Sequence, residues 1–201
     1  MKLFLTSAGF ADQNLRSFFI GNLGESPVNL RVVMLALIKD SEEKFYVDLS
    51  RKELEEIGFT SIKFINLNEG LEPKALEKFD LVYVCGGNTF AIYKKIKESG
   101  FAGKIEELVK DDKLIYIGVS AGSIIAGPDI EIAGWGSEGD ENEVGLQELK
   151  GLGLTEVSVF PHYHEELKDE VEAFRRKVSY PVVELRNDQL VYVEGDNWEI
   201  I

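Results

Sequence analysis

A chain of 201 residues with 44% hydrophobic and 29% charged residues has the makeup of a folded soluble protein, which sets aside disordered and membrane-embedded classes. Its formal net charge of −14 argues against binding nucleic-acid backbones, and a single cysteine, Cys85, excludes an internal disulfide and any multi-cysteine metal site. No apolar run reaches the length of a membrane span and Met1 to Ser7 is too short for a signal peptide, so a cytoplasmic protein with no membrane partner is expected, in one domain spanning 1–201.

Lys2 to Leu5 is a short apolar strand, and Thr6 to Gly9 is the small-residue loop that follows it. Asn14 to Phe19 carries apolar residues at helical spacing, broken by Gly21 to Gly24 and Pro27. Arg31 to Ile38 is apolar after its first residue, as a strand buried on both faces would be. A helix then runs from a cap near Asp40 through Leu49 and Leu54 to Gly58, with charges such as Lys52 to Glu56 on a solvated face. Ser61 to Ile65 is a third strand and Pro73 to Phe79 a short helix. Leu81 to Cys85 is a fourth strand, ending in Gly86-Gly87-Asn88-Thr89 before a helix from Phe90 to Ser99.

Leu114 to Ile117 is the next strand, and it runs into Gly118-Val119-Ser120-Ala121-Gly122 and an apolar helix through Ala126. This is a G-x-S-x-G corner. A strand that turns at once into a helix crowds the backbone on either side of the turn residue, so glycine is wanted two positions away in both directions. After Gly127-Pro128, residues 133–142 form a glycine-rich acidic loop with an exposed-looking Trp135, either a lid or specificity loop beside the corner or a plain solvent-exposed connection. Thr155 to Phe160 is a strand ending in Pro161-His162-Tyr163-His164, and Glu165 to Lys177 is a charged amphipathic helix. Val182 to Leu185, Leu190 to Val193 and Trp198 to Ile201 are short terminal strands that extend the sheet or form a hairpin. Strands alternating with helices build a mostly parallel sheet with helices on both faces, and ligands collect at the carboxyl ends of its strands.

Ser120 and the Gly86-Gly87 turn both fall at that edge. A serine hydroxyl needs a base to take its proton, and the chain holds only two histidines, both directly after a strand. His162 is the expected base because it follows the strand end most closely; in an extended segment His164 would point to the same side. Two histidines and one cysteine are too few to build a typical zinc site. The N–H groups of Ala121 and Gly87 are the expected oxyanion donors, with Gly86, Asn88 and Thr89 against the substrate. Cys85, at the end of a buried strand, is read as packing. For the residue that orients the histidine, spacing cannot choose among Glu184, Asn187, Asp188, Glu194, Asp129, Glu131 and Asp140.

Cys85 to Phe90, Tyr116 to Gly122 and Pro161-His162, in this order on a chain of this length, resemble the S51 serine peptidases, which include aspartyl dipeptidases and the related cyanophycinases. The resemblance implies a class I glutamine amidotransferase-like, flavodoxin-like three-layer sandwich. It also implies Ser120 as nucleophile, His162 as base, and Gly87 and Ala121 as oxyanion donors. The family's third catalytic member aligns with Asn187, with Asp188 beside it. Two departures stand out. The family's dipeptidases follow the elbow with Ala-Asn, where this chain has Ser123-Ile124, and nothing from Asp129 to Asp140 clearly matches the aspartate they carry in the next loop.

The expected activity is hydrolysis of small peptides through an acyl-enzyme, with no metal or organic cofactor, by a monomer or homodimer whose partner is a small peptide substrate. A preference for an N-terminal aspartyl residue would call for a cation, with Arg175 or Arg176 as its source. An esterase or amidase with the same residues, or a catalytically silent binding protein of the same fold, are the alternatives.

Overall fold

In the computed structural model, which describes residues 1–69 and 72–201, the five apolar runs of the first half pair in parallel. β1 (Lys2–Thr6), β2 (Arg31–Ala36), β3 (Ser61–Asn66), β4 (Leu81–Val84) and β5 (Ile115–Val119) lie in the order β3-β2-β4-β5-β1. β8 (Leu190–Glu194) joins antiparallel beyond β1, and β9 (Asn197–Ile200) closes a hairpin on it.

Side chains along a strand alternate between faces, and that alternation divides the core in two. Leu3, Leu5, Val33, Leu35, Val82 and Val84 face one cluster, which is covered by α3 (Thr89–Glu98), α4 (Phe101–Lys110) and α5 (Ala121–Ala126). Phe4, Val32, Met34 and Tyr83 face the other, under α1 (Gln13–Asn22) and α2 (Ser41–Ile57). The result is the mostly parallel sheet with helices on both faces that the pattern implies, in the three-layer, class I glutamine amidotransferase-like form that the resemblance implies. Among the described residues no helix is long and apolar enough to cross a membrane.

Three elements differ from expectation. α4 is an additional helix, set off from α3 by Ser99 and by Gly100 at φ +76, and marked by Phe101, Ile105, Leu108 and Val109 on its buried side. The strand expected over Thr155 to Phe160 shortens to β6 (Ser158–Phe160), which leaves the main sheet and pairs in parallel with β7 (Val182–Glu184). The helix expected from Glu165 opens as a 3-10 turn over Glu165–Leu167 and becomes α6 at Lys168–Arg175. β6 packs over α5 and carries β7 with it, and this brings the second half of the candidate site onto the first.

Candidate active site

The corner at Ser120 is held by contacts that only glycine permits. A Cβ on Gly122 would stand 2.2 Å from the Val84 carbonyl oxygen, and one on Gly118 would stand 2.6 Å from the Gly122 carbonyl group. Real side chains do not approach so closely, so both glycines are sterically required for β5, β4 and α5 to meet here. Ser120 itself has φ 49° and ψ −109°, a backbone conformation that costs a non-glycine residue about 1–3 kcal/mol. Hydrogen bonds to β1 restrain it: the Ser120 N–H donates to the Thr6 carbonyl at 3.0 Å, and the Ser123 hydroxyl donates to the same oxygen at 2.7 Å. Ser123, one of the departures from the S51 pattern, therefore faces the sheet, and Ile124 lines the cleft.

Parallel pairing of β6 with β7 brings their carboxyl ends out side by side. The ladder continues past the strands, with the Leu185 N–H on the Phe160 carbonyl at 2.9 Å and the Tyr163 N–H on the Leu185 carbonyl at 3.0 Å. His162 and Asn187 emerge together as a consequence. His162 Nε2 lies 2.9 Å from Ser120 Oγ, and its Nδ1 lies 2.8 Å from Asn187 Oδ1.

The tautomer follows from a residue that sequence reasoning missed. Ser7, fully buried in the loop after β1, accepts the His162 backbone N–H at 2.7 Å. Its own hydroxyl proton goes to Asn187 Oδ1 at 3.0 Å. Asn187 thus presents an acceptor to the imidazole, Nδ1 carries the proton, and the Nε2 lone pair faces the Ser120 hydroxyl. His162 has φ 57°, so the segment is not extended and His164 turns away, placing its Nε2 3.3 Å from Glu138 Oε1.

The remaining acidic candidates are engaged elsewhere. Asp188, the neighbour of Asn187, is exposed and pairs with Arg186 at 3.5 Å, so the structure brings Asn187 and not Asp188 to the imidazole. Glu184 pairs with Arg175, Glu131 with Lys177, Asp129 with the Tyr180 hydroxyl and Glu194 with Lys2. Asp140 Oδ2 accepts the Thr89 N–H at 2.8 Å. Cys85 is buried, and burial pushes its thiol up to about 12, which removes it as a nucleophile.

The Gly86-Gly87 turn packs on the serine: a Cβ on Gly86 would sit 3.4 Å from Ser120 Cβ, and Gly87 has φ +129°. Gly87, Thr89, Ser120 and His162 share a cleft of about 120 Å³ with Ile124, Ile132 and Phe160. The Ala121 N–H, at the first residue of α5, is one of those a helix leaves without an internal acceptor. Asn88 caps α3 through the Ala91 N–H at 2.9 Å, and its amide nitrogen donates to the Glu141 carbonyl at 2.9 Å, so its side chain serves the loop anchorage.

Residues 133–142 are tied down at both ends. The Trp135 indole N–H donates to the Glu170 carbonyl at 2.9 Å and its ring meets Phe174 edge-on, so the tryptophan expected to be exposed is half-buried against α6. Asp140 and Glu141 anchor the other end to the Asn88-Thr89 turn. Among the described residues no three His, Cys, Asp or Glu side chains converge to hold a metal ion.

Residues 23–201 match the model of peptidase family S51. An uncharacterized peptidase of Pasteurella multocida is 30% identical over 170 residues, covering 81% of this chain and 77% of its own. Peptidase E of Salmonella arizonae is 32% identical over 118 residues, 59% of this chain and 48% of that one. The probable alpha-aspartyl dipeptidase of Drosophila melanogaster is 30% identical over 143 residues, 64% and 58% of the two chains. A 1.5 Å crystal structure of a candidate peptidase E from Listeria monocytogenes EGD-e superposes with a TM-score of 0.81 at 26% identity, covering 100% of this chain and 97% of that one.

Proposed function

The chain belongs to peptidase family S51, and from that premise we propose that it hydrolyses short peptides through an acyl-enzyme formed on Ser120. In this reading His162 Nε2 takes the Ser120 proton as Oγ attacks the scissile carbonyl carbon. The N–H groups of Ala121 and Gly87 hold the oxyanion, His162 returns the proton to the leaving amine, and water repeats the path to release the acid. A positioned base contributes about 10²–10⁴ in rate and each oxyanion donor about 10²–10³. Asn187 orients the imidazole without adding a negative charge.

The observation that carries this reading is the continuous relay Ser7–Asn187–His162–Ser120, with contacts of 3.0, 2.8 and 2.9 Å. The small cleft, bounded by anchored residues 133–140, supports a short substrate. An aspartyl preference, which the name of the Drosophila relative carries, finds no lysine or arginine in the cleft lining for support: that lining includes Glu138 and Asp140 and neither Arg175 nor Arg176, and Arg175 binds Glu172, Glu184 and the Val182 carbonyl.

A library of di- and tripeptides incubated with wild type and with Ser120→Ala tests the proposal. Cleavage by wild type that drops at least about 10³-fold in the variant is expected; hydrolysis that survives the substitution would overturn it.

A further inference from the structure

We infer that the cleft selects substrates bearing an ammonium group and no acidic side chain on the acyl residue, and that Asp140 is the residue that sets this choice. The inference rests on the hydrolase reading for its chemistry, but its evidence is the lining of the cleft. Two carboxylates, Glu138 and Asp140, face it, and no lysine or arginine does. Four cations on the surrounding elements are engaged elsewhere. Arg175 is held by Glu172 and Glu184, Lys177 by Glu131 and the Trp135 ring, Lys94 by the Val144 carbonyl, and Lys168 by Glu165.

Asp140 is built in rather than displayed on a loose loop. Its own N–H donates to the Ala133 carbonyl at 2.7 Å, and its Oδ2 accepts the Thr89 N–H at 2.8 Å. A carboxylate accepts several hydrogen bonds, so one bond to Thr89 leaves capacity for a ligand. Thr89 lies in the same lining and is 1% exposed, and its hydroxyl is buried without a hydrogen-bond partner among the described residues. The rest of the wall is apolar, formed by Ile124, Ile132, Phe160 and Leu167.

An acidic substrate side chain would enter this space as a third carboxylate, losing water and gaining no counter-charge. An ammonium would find Asp140 and its field instead, and the net charge of −14 would favour its approach. The ammonium has two sources, the free N-terminus of a peptide or a basic side chain on the acyl residue.

The test measures both turnover by wild type and binding to Ser120→Ala, the latter by calorimetry, for Leu-Ala, Lys-Ala, Asp-Ala, N-acetyl-Leu-Ala and N-acetyl-Lys-Ala. Leu-Ala and Lys-Ala are expected to exceed Asp-Ala at least 100-fold in kcat/KM and at least tenfold in affinity. Tenfold or greater loss in both acetylated peptides assigns the ammonium to the N-terminus; retention by N-acetyl-Lys-Ala alone assigns it to the side chain. In Asp140→Asn, which keeps an acceptor for Thr89, the ratio of Lys-Ala to Asp-Ala should fall at least tenfold, and Glu138→Gln should lower it less. Asp-Ala handled as well as Leu-Ala and Lys-Ala, or a ratio unmoved by Asp140→Asn, would overturn the inference. Selective binding without turnover would overturn the Ser120 mechanism and leave the substrate class standing.

Discussion

Ser7 ties three points of the site together: the His162 backbone, the Asn187 amide and, through the next contact, the imidazole face toward Ser120. Ser7→Ala removes the partner of a half-buried N–H and frees Asn187 to rotate. A roughly tenfold fall in kcat with little change in KM is expected, with a stability loss of about 1–2 kcal/mol. Equal losses in Ser7→Ala and in an exposed-serine control such as Ser17→Ala would deny Ser7 a positioning role. Asn187 offers a second test. Asn187→Asp places a negative charge against the Nδ1–H, which stabilises the imidazolium, so the acid limb of the kcat/KM profile should move upward by about one pH unit or more. An unmoved limb would mean that Asn187 does not govern the base.

Ser120 and His162 were legible in the sequence because a G-x-S-x-G corner and a strand-end histidine each carry a local signature. Ser7 was not, since nothing near it in the chain marks a partner 180 residues away. The choice between Asn187 and Asp188 turned on a single residue of register, which the β6–β7 ladder sets and spacing cannot.

At the scale of elements, the junction of β4, β5 and α5 leaves no room for a Cβ at Gly118 or Gly122. Gly122→Ala would drive a Cβ to 2.2 Å from the Val84 carbonyl oxygen, and a loss of about 3 kcal/mol or more is expected together with loss of activity. Gly103→Ala is the contrast: in α4 nothing lies within 4 Å of its Cβ position, and the substitution should stabilise by about 0.5–1 kcal/mol. Thermal denaturation of the two variants decides it, and similar melting temperatures would mean that the corner yields more easily than its geometry implies.

β1, β2, β4 and β5 were readable because apolar runs buried on both faces need no partner information. The terminal runs are expected to extend that sheet or form a hairpin; β8 and β9 do both, while β7 pairs instead with β6, which packs on a tertiary neighbour, α5. α4 is not anticipated because Ser99-Gly100 reads as the end of one helix, and only the apolar spacing of Phe101, Ile105, Leu108 and Val109 marks a second one starting at once beyond it. Trp135 looked exposed in a glycine-rich acidic loop, and its burial against Phe174 comes from α6, far along the chain.

Across the molecule, the loop that carries Ser7 is braced from the opposite helical layer. Glu53 on α2 is 9% exposed and accepts the Phe10 N–H at 3.0 Å, and Gly9 leaves room for its carboxylate, since a Cβ there would stand 2.7 Å from Oε2. Burial raises the Glu53 carboxyl above its usual 4.5, while the Phe10 N–H and the Arg16 charge oppose the shift. The folded chain then keeps a proton that the unfolded chain releases, so this contribution is fully present below pH 4.5 and is lost as pH rises through the folded value. Glu53→Gln retains an acceptor for Phe10 without burying a charge. Its melting temperature at pH 7 should match or exceed that of wild type, with the advantage shrinking toward pH 4; a deficit at pH 7 that closes at pH 4 would contradict this.

The central claim, that His162 activates the Ser120 hydroxyl across the 2.9 Å contact, is tested most directly by a fluorophosphonate that reports nucleophilic serines. Intact-mass analysis and peptide mapping should place one adduct on Ser120, formed at least about 100-fold more slowly in His162→Ala. An adduct on another serine, none at all, or a rate indifferent to His162→Ala would contradict the account.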